Sequence, residues 1–403
     1  MKIGIVFDNF GPYHVARMAG AAKYCDVVAI EVSPSNSEYA WVNPDLPENL
    51  THITFSNGTA NGCDAAQFVQ IFNEKLVPLG LDCIAVPGWS SLAALALTRW
   101  CAERGIPVIC MSETNGWDFE RSWPTEFAKK GVVSHYAAAL VTSDSQAQYM
   151  HELGLAPGAI FRGYNAVDNA FFASAAEAVR ASGAMPSLGG TAMPQEWRNR
   201  YFLASNRFIE KKNLPTLLRS YAAFRQGRAA DPADWPLVML GDGEMRAELE
   251  ALTAELGLGA HVHYPGFRQI DELPTYYATA GAFVHVSTTE QWGLVINEAL
   301  ASGLPAIVSR RCGCAEVLIA DDVNGLLIDP YDGAGITDAL ARMADPDVRE
   351  RLAGQAARHV ADWGPDRFGT GMRDAAAYAM RQPQVRPNLI DRQCLKMAIS
   401  RLA

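Results

Sequence analysis

Four charged residues in the second half of the chain stand out by type and spacing. Arg207 and Lys212 lie five apart in the stretch Ser205-Asn-Arg-Phe-Ile-Glu-Lys-Lys-Asn-Leu-Pro, and Glu290 and Glu298 lie eight apart. An arginine and a lysine on one loop can bring two positive charges to phosphate, the guanidinium bidentately and the ammonium as a point charge. Glu298 falls inside the apolar run 294–300, where an ionised carboxylate is costly unless it has partners. Glu290 precedes that run on a loop, and a helix is expected to open near Gly293. A helix start turns free N–H groups and the positive end of its dipole toward the loop before it, a ready site for a diphosphate.

The elements that must position these residues follow from the apolar pattern. Strands are predicted at 201–205, just before Arg207, and at 282–286, just before Glu290; further strands at 237–240, 261–264 and 306–309 alternate with helices at 215–224, 246–256, 273–278 and 294–301. The first half has the same rhythm, with strands at 3–7, 27–32, 83–86, 108–111 and 138–142 and helices at 91–104 and 145–153. Strands separated by helices imply βαβ units and parallel sheets, which bind ligands at the carboxyl ends of their strands. The expectation is an α/β protein of two Rossmann-like, doubly wound domains at 1–180 and 200–365. Residues 181–200, which include Ser182, Gly183, Pro186, Gly189 and Gly190, read as a linker or surface loop, 366–380 as a helix and 381–403 as a basic tail.

Composition narrows the class. The 403 residues are 49% hydrophobic and 19% charged with a net charge of −10, a globular balance without the basic footprint of a nucleic-acid binder. No stretch approaches about 18 uninterrupted apolar residues, so no membrane span is expected. The opening Met-Lys-Ile-Gly-Ile-Val-Phe-Asp reads as a buried strand rather than a signal peptide, which predicts a cytoplasmic location. The tail sets Arg386, Arg392, Lys396 and Arg401 against Asp391; it reads either as a solvated helix face or as a peripheral contact with anionic lipid at the inner face of the cell membrane. The eight cysteines make no disulfide framework, and Cys312 and Cys314 lack a second pair or a nearby His for zinc, so no metal site is expected.

Residues 200–335 resemble the donor domain of family 4 glycosyltransferases, retaining enzymes of the GT-B fold. The resemblance is carried by Arg207 with Lys212, Gly241-Asp-Gly243 after a strand, Pro265-Gly266-Phe267, Glu290 with Glu298 and the following Ala-Leu-Ala-Ser-Gly-Leu-Pro305, and Asn324-Gly325-Leu-Leu-Ile-Asp-Pro330. In the first half, Gly163-Tyr-Asn165-Ala-Val-Asp168 is similar to the segment near the domain hinge, with Ala166 where the family has glycine. Phe10-Gly11-Pro-Tyr-His14 stands where the glycine-rich first loop faces the donor, with one glycine only.

The resemblance implies a cleft between the two domains that holds a nucleotide-sugar. Arg207 and Lys212 would hold the diphosphate, Glu298 the ribose hydroxyls and Glu290 the donor sugar. Backbone N–H groups of Trp292, Gly293, Leu294 and Val295 would cradle sugar and phosphates, the backbone at Phe267 and Arg268 would read the base, and Gly11 would face the donor. The helix at 366–380 would cross back onto the first domain. Cleaving a sugar–phosphate bond puts negative charge on the diphosphate, which the cations and the helix start can stabilise without a metal or other cofactor. The donor is expected to be a UDP-sugar, with a GDP-sugar as the alternative, and the acceptor a saccharide or glycolipid in polysaccharide or glycolipid biosynthesis. The family's first-domain His is missing from 111–115, so Glu113 or Asn115 would serve the acceptor. His14 reads as an acceptor contact or as packing. Trp117, Phe119, Trp123 and Phe127 form an aromatic acceptor wall or simply pack a helix.

A dinucleotide-dependent oxidoreductase would need Gly-x-Gly-x-x-Gly, and Gly241-x-Gly243-x-x-Arg246 fails at its third position. A non-catalytic nucleotide-sugar-binding protein and a sugar-nucleotide epimerase of the same fold remain as alternatives.

Overall fold

The computed structural model describes residues 1–34, 46–47, 50–56, 63–118, 120–227, 235–382 and 387–402. Phe119 of the expected aromatic wall and Arg386 of the basic tail lie outside them. The chain forms two compact units, one of residues 1–167 with 365–403 and the other of residues 168–364.

In the first unit, seven strands run β1 (Lys2–Phe7), β2 (Asp26–Glu31), β3 (Thr51–Thr54), β4 (Cys83–Pro87), β5 (Val108–Met111), β6 (Ala138–Val141) and β7 (Ile160–Arg162). Between them lie α1 (Pro12–Ala22), α2 (Ala65–Lys75), α3 (Leu92–Arg104), α4 (Trp123–Val133) and α5 (Asp144–Glu152). The strands pair in parallel in the order β3-β2-β1-β4-β5-β6-β7. Inner strands such as Val-Ile-Cys-Met and Ala-Ala-Leu-Val are buried throughout, as parallel strands covered on both faces must be. Successive side chains alternate between two cores: Ile3, Ile5 and Phe7 join one, while Val6, Val28 and Ile30 join the other. Helix α3 is started by Ser91, whose Oγ accepts from Ala94 N–H at 3.2 Å, and stopped by left-handed Gly105.

The second unit begins with α6 (Asn169–Ser182) and a short antiparallel hairpin, β8 (Ser187–Leu188) and β9 (Thr191–Ala192). It continues through β10 (Phe202–Ser205), α7 (Leu214–Gly227), β11 (Leu237–Leu240), α8 (Arg246–Glu255), β12 (Val262–Gly266), α9 (Leu273–Thr279) and β13 (Ala282–His285). Then follow α10 (Leu294–Ala301), β14 (Ala306–Ser309), α11 (Ala315–Leu318), β15 (Gly325–Ile328), α12 (Gly333–Ala344) and α13 (Pro346–Val360). Its parallel sheet has the order β12-β11-β10-β13-β14-β15. Both sheets therefore reverse strand order beside their first strand, between β1 and β4 and between β10 and β13. Such a switch point opens a crevice at the carboxyl ends of the strands.

The chain returns to the first unit as α14 (Pro365–Arg381) and α15 (Leu389–Leu402). Phe368, Met372, Ala375 and Ala376 of α14 enter the core of Ile3 and Ile5. The helix crosses α1 so closely that a Cβ on Gly369 would stand 2.4 Å from the Gly20 carbonyl oxygen, an approach only glycine permits.

The structure departs from the expected boundaries in three places. Helix α6 belongs to the second unit rather than closing the first, because Phe172 packs against Tyr277 with ring centroids 6.0 Å apart. Residues 181–200 are no linker: Gly189 and Gly190 turn the β8–β9 hairpin, Met193 is buried, and Tyr276 Oη donates to Ser187 O at 2.7 Å. Residues 389–402 are not a solvated tail, because Cys394, Leu395 and Ile399 of α15 are buried against α3 and α4.

Candidate functional site

At the switch point of the second unit, three loops leave the carboxyl ends of β10, β11 and β13. Gly241 and Gly243 fix the first two together. Gly241 has φ +117°, and a Cβ there would stand 1.8 Å from the Asn206 carbonyl oxygen. Asn206 N–H donates to Leu240 O at 3.0 Å and Phe208 N–H to Asp242 O at 2.8 Å. Arg207 is thus held at its neighbours' backbone while its side chain is exposed.

Lys212 ends a single 3₁₀ turn, Glu210–Lys212, closed by Asn213 in the left-handed region. Asn213 Nδ2 donates to Val286 O at 3.2 Å and Pro330 O at 2.8 Å, and Thr288 N–H donates to Lys211 O at 2.9 Å. The Lys212 turn is therefore tied to the loop that carries Glu290. Lys212 Nζ donates to Glu290 Oε2, and Lys211 Nζ lies 4.0 Å from Oε1. His285 is fully buried at the end of β13, its Nε2 2.9 Å from Ser287 Oγ and 3.7 Å from Glu290 Oε2. Burial opposes the Glu290 charge, but His285, Lys212 and Lys211 outweigh it and hold the carboxyl well below the usual carboxylate range. Burial lowers His285 as well. At neutral pH the carboxylate is ionised and the imidazole neutral.

The backbone of the Glu290 loop is fastened on its other side. Glu290 N–H donates to Arg311 O at 3.1 Å, Gly313 N–H to Glu290 O at 2.9 Å and Cys314 N–H to Trp292 O at 3.1 Å. Arg311 Nε donates to Thr288 O. Cys312 and Cys314 are buried free thiols that burial pushes up; they line the seat of this loop. Gly293, at φ +103°, is the N-cap of α10, and among the described residues no side chain caps that helix. Its first residues Leu294 and Val295 are half-buried and Trp292 is buried, with its ring 5.6 Å from that of Trp363.

Glu298 lies wholly inside, and Tyr277 Oη donates to its Oε2 at 2.8 Å, one of the partners that burial of a carboxylate demands. Phe267 is exposed after β12; Arg268 Nε donates to Tyr276 Oη at 2.9 Å and its Nη1 to Phe267 O at 3.0 Å. Four buried polar atoms on these strands and loops make no hydrogen bond among the described residues: Asn206 Oδ1, His285 Nδ1, Thr289 Oγ1 and Trp292 Nε1. Most buried polar atoms are paired, so these are groups able to receive a polar ligand. Among the described residues no three His, Cys, Asp or Glu cluster to hold a metal.

The first unit gathers its polar groups at the same end of its sheet. Gly11 is the N-cap of α1, and its N–H donates to His14 Nδ1 at 3.0 Å. Burial, then the charge of Arg17, lowers His14 to about 3. The ring is neutral, and since Nδ1 accepts, Nε2 carries the proton. Arg17, 3% exposed, donates from Nη2 to Asn165 Oδ1 at 2.9 Å, and Asn165 Nδ2 donates to Glu113 Oε2 at 2.8 Å. Asn115 is fully buried, its Oδ1 taken by Ser145 Oγ at 2.9 Å. Trp117 is half-exposed; Trp123 is 77% exposed and stacks on Phe127 with centroids 5.5 Å apart.

Of the residues singled out in the sequence, the structure joins Lys212 to Glu290 directly and sets Arg207, Phe267, Gly293 and their loops along one sheet edge. Sequence reasoning missed Lys211, Asn213, His285 and Arg17. His285 had a signal, being the one polar residue of strand β13; Arg17 shares α1 with Tyr13 and His14, and Lys211 and Asn213 act through a backbone carbonyl, an ammonium charge and a side-chain amide that no spacing displays.

Residues 195–359 match the family model described as glycosyl transferases group 1. The lipopolysaccharide core biosynthesis glycosyltransferase LpsE of Rhizobium meliloti (strain 1021) is 34% identical over 152 residues, 38% of this chain and 42% of that protein. The D-inositol 3-phosphate glycosyltransferase of Xylanimonas cellulosilytica is 35% identical over 162 residues, 38% of each chain. The chain thus spans less than half the length of these curated relatives. Among solved structures, Anabaena Alr3699/HepE in complex with UDP superposes with a TM-score of 0.68 at 16% identity, covering 92% of this chain and 98% of that one.

The chain has the GT-B fold. In GT-B terms the group 1 match falls on the second Rossmann-like unit, which contains Arg207, Lys212, Glu290 and Glu298. The buried network of Arg17, Asn165 and Glu113 lies in the first unit, outside the matched residues.

Proposed function

We propose that this chain is a metal-independent, retaining family 4 glycosyltransferase that moves a sugar from a nucleotide-diphosphate donor to a saccharide or glycolipid acceptor. The observation that carries the reading is the Lys212–Glu290 ion pair, set at a sheet switch point beside the uncapped start of α10. Arg207, Lys212 and the helix N-terminus take up the charge that grows on the departing diphosphate. The N–H groups from Trp292 to Val295 cradle sugar and phosphates, Glu298 holds the ribose, the Phe267–Arg268 backbone meets the base, and Gly11 faces the donor.

Glu290 contacts the donor sugar and takes no proton. A group held far below working pH is a poor general acid or base, and its charge is already engaged by Lys212, which weakens it as a nucleophile. The departing phosphate itself then accepts the proton of the incoming hydroxyl, and the sugar keeps its anomeric configuration. His14, Glu113, Asn115 and Trp117 belong to the acceptor side. UDP is the favoured nucleotide, in line with the UDP in the Anabaena structure. The relative named for lipopolysaccharide core biosynthesis supports a saccharide-bearing acceptor, and the reading places the enzyme in the cytoplasm or at the inner face of the cell membrane.

A thermal-shift panel of UDP-, GDP- and ADP-sugars tests the donor. At 100 Kd a ligand adds about 2.7 kcal/mol of stability, so a UDP-sugar should raise Tm by several degrees. No shift with any of the three would remove the reading, and a shift without turnover on any saccharide or glycolipid would reduce the chain to a binding protein.

A further inference from the structure

Helix α15 is apolar on two sides. Cys394, Leu395 and Ile399 face α3 and α4, yet Leu389 is 83% exposed, Met397 54% and Leu402 45%. Its partner α4 does the same, leaving Trp123 77% and Phe127 45% exposed. The two helices run antiparallel: a Cβ on Gly131 would touch Cys394, while His135, two residues past the end of α4, lies in the field of Asp391 and Arg392 at the start of α15.

Trp123, Phe127 and Gly131 recur at i, i+4 and i+8 and so share one stripe of α4. With Gly131 against Cys394, that stripe brings Phe127 beside the turn of Met397 and Trp123 beside the turn of Arg401 and Leu402. By this register Trp123, Phe127, Met397 and Leu402 lie along one side of the helix pair, with Leu389 at its other end.

Its fully exposed charges are positive. Arg392, Lys396, Arg401 and Lys130 are exposed on these helices, against a half-buried Asp391. The remaining carboxylate of α4, Glu126, is engaged by Arg121 and Lys129, each at 2.9 Å. This basic surface sits on a chain of net charge −10. Among the described residues no helix is long and apolar enough to cross a membrane.

We infer that the α4–α15 surface is a docking face for an anionic lipid bilayer. Trp123, Phe127, Met397 and Leu402 enter the headgroup region while the lysines and arginines meet lipid phosphates. Amphipathic helices with Trp and Phe on one side and Lys and Arg around them bind in this way, and each basic residue near the surface strengthens attachment about fivefold. The inference deepens the proposed function by making the acceptor lipid-borne and by giving Trp123 to lipid rather than to sugar, but it is measured without donor, acceptor or turnover.

The test is co-sedimentation of the full chain with vesicles of phosphatidylglycerol and phosphatidylcholine, and of phosphatidylcholine alone, at low and high salt. Wild type should pellet with anionic vesicles, stay in solution with neutral ones, and lose much of its binding in high salt. Lys396→Glu with Arg401→Glu should weaken binding at least 25-fold by the same scale, and Trp123→Ala with Phe127→Ala roughly tenfold or more, with Tm and the UDP-induced shift unchanged in both. These side chains are exposed, so the variants fold. Equal binding of wild type and variants, equal binding to both vesicle types, or no binding would overturn the inference. A concentration-dependent dimer that the same substitutions dissociate would overturn it too, by giving the surface to a second copy. In each case the UDP shift of the wild type still reports separately on the transferase reading.

Discussion

The two units share a strand order but hold their polar groups by different means. In the second, the site residues hang on backbone: glycines at 241 and 243 let one loop lie on another, and main-chain bonds at 288, 290, 313 and 314 fasten the Glu290 loop. In the first, side chains do the fastening, with Arg17, Asn165 and Glu113 linked across separations of 148 and 52 residues. Backbone fastening needs particular small residues at fixed local spacings and leaves a motif. A side-chain network can be drawn from anywhere in the chain and leaves none.

The largest effect that could break this comparison is at Glu290. Glu290→Gln should lower kcat by about 10²–10³, the usual cost of removing a group that acts on developing charge, with a smaller change in donor KM. Glu298→Gln should mainly raise KM and, since Glu298 receives the Tyr277 hydroxyl inside the protein, lower stability by about 1–3 kcal/mol. Steady-state kinetics with intact-mass spectrometry separates the two roles. Matching kinetic defects would merge them, and a glycosyl adduct on Glu290 would replace the mechanism.

Next comes the backbone itself. Gly241→Ala places a methyl 1.8 Å from a carbonyl oxygen at a left-handed residue, and strain with overpacking should cost about 3 kcal/mol in urea unfolding while loosening the Arg207 loop and weakening UDP binding. Wild-type stability in this variant would show that the loops are not held by glycine.

Arg207→Ala and Lys212→Ala should each weaken donor binding by about 1.5–3 kcal/mol in calorimetry. Lys212 should sit at the upper end, because its loss also strips Glu290 of its nearest cation. Unchanged affinity in both would take the diphosphate elsewhere.

In the first unit the expected signature is a pH slope. His14 titrates at about 3 when folded and 6.5 as a model group, so the unfolded chain takes the proton first. The stability of the neutral ring is full above pH 6.5 and drains on acidification toward pH 3, at about 1.4 kcal/mol per pH unit. His135 and His285 act with the same sign, so His14→Gln should reduce the slope in denaturant titrations between pH 6.5 and 5 rather than remove it. An unaltered slope would place His14 in water. The smallest expected effect is none: transfer should continue in excess EDTA, since Arg207, Lys212 and the start of α10 supply the positive potential, and loss of activity restored by Mg²⁺ would refute this.

The parallel, doubly wound character of both units was legible because buried parallel strands such as Leu237–Leu240 are continuous apolar runs between helical periods, whereas their order across the sheet was not. Edge strand β3 was not: Thr-His-Ile-Thr is half-exposed and carries no such run. The hairpin at 187–192 hid behind its turn residues, because glycine and proline punctuate a tight turn and a linker alike. Helix α15 was readable as charge but not as packing, since Cys394, Leu395 and Ile399 show their buried side only once α4 and α3 lie beneath them. At the site, spacing exposed Glu290 and Glu298, whereas the ionic state of Glu290 depends on the buried His285 and on Lys212 and Lys211, of which the lysines reach it only in three dimensions.

The route of the chain through the units also sets an order of assembly on the ribosome. The second unit is one continuous stretch, complete when residue 364 has been added. The first unit then still lacks α14, whose Phe368, Met372, Ala375 and Ala376 fill one of its two cores. At about 5–20 residues per second, the sheet of β1–β7 waits roughly 10–40 s, with that apolar face uncovered, while residues 168 to 364 are made. Of the two units, the one begun earlier is therefore the later to be finished, with the face that α14 will cover open to solvent over that interval.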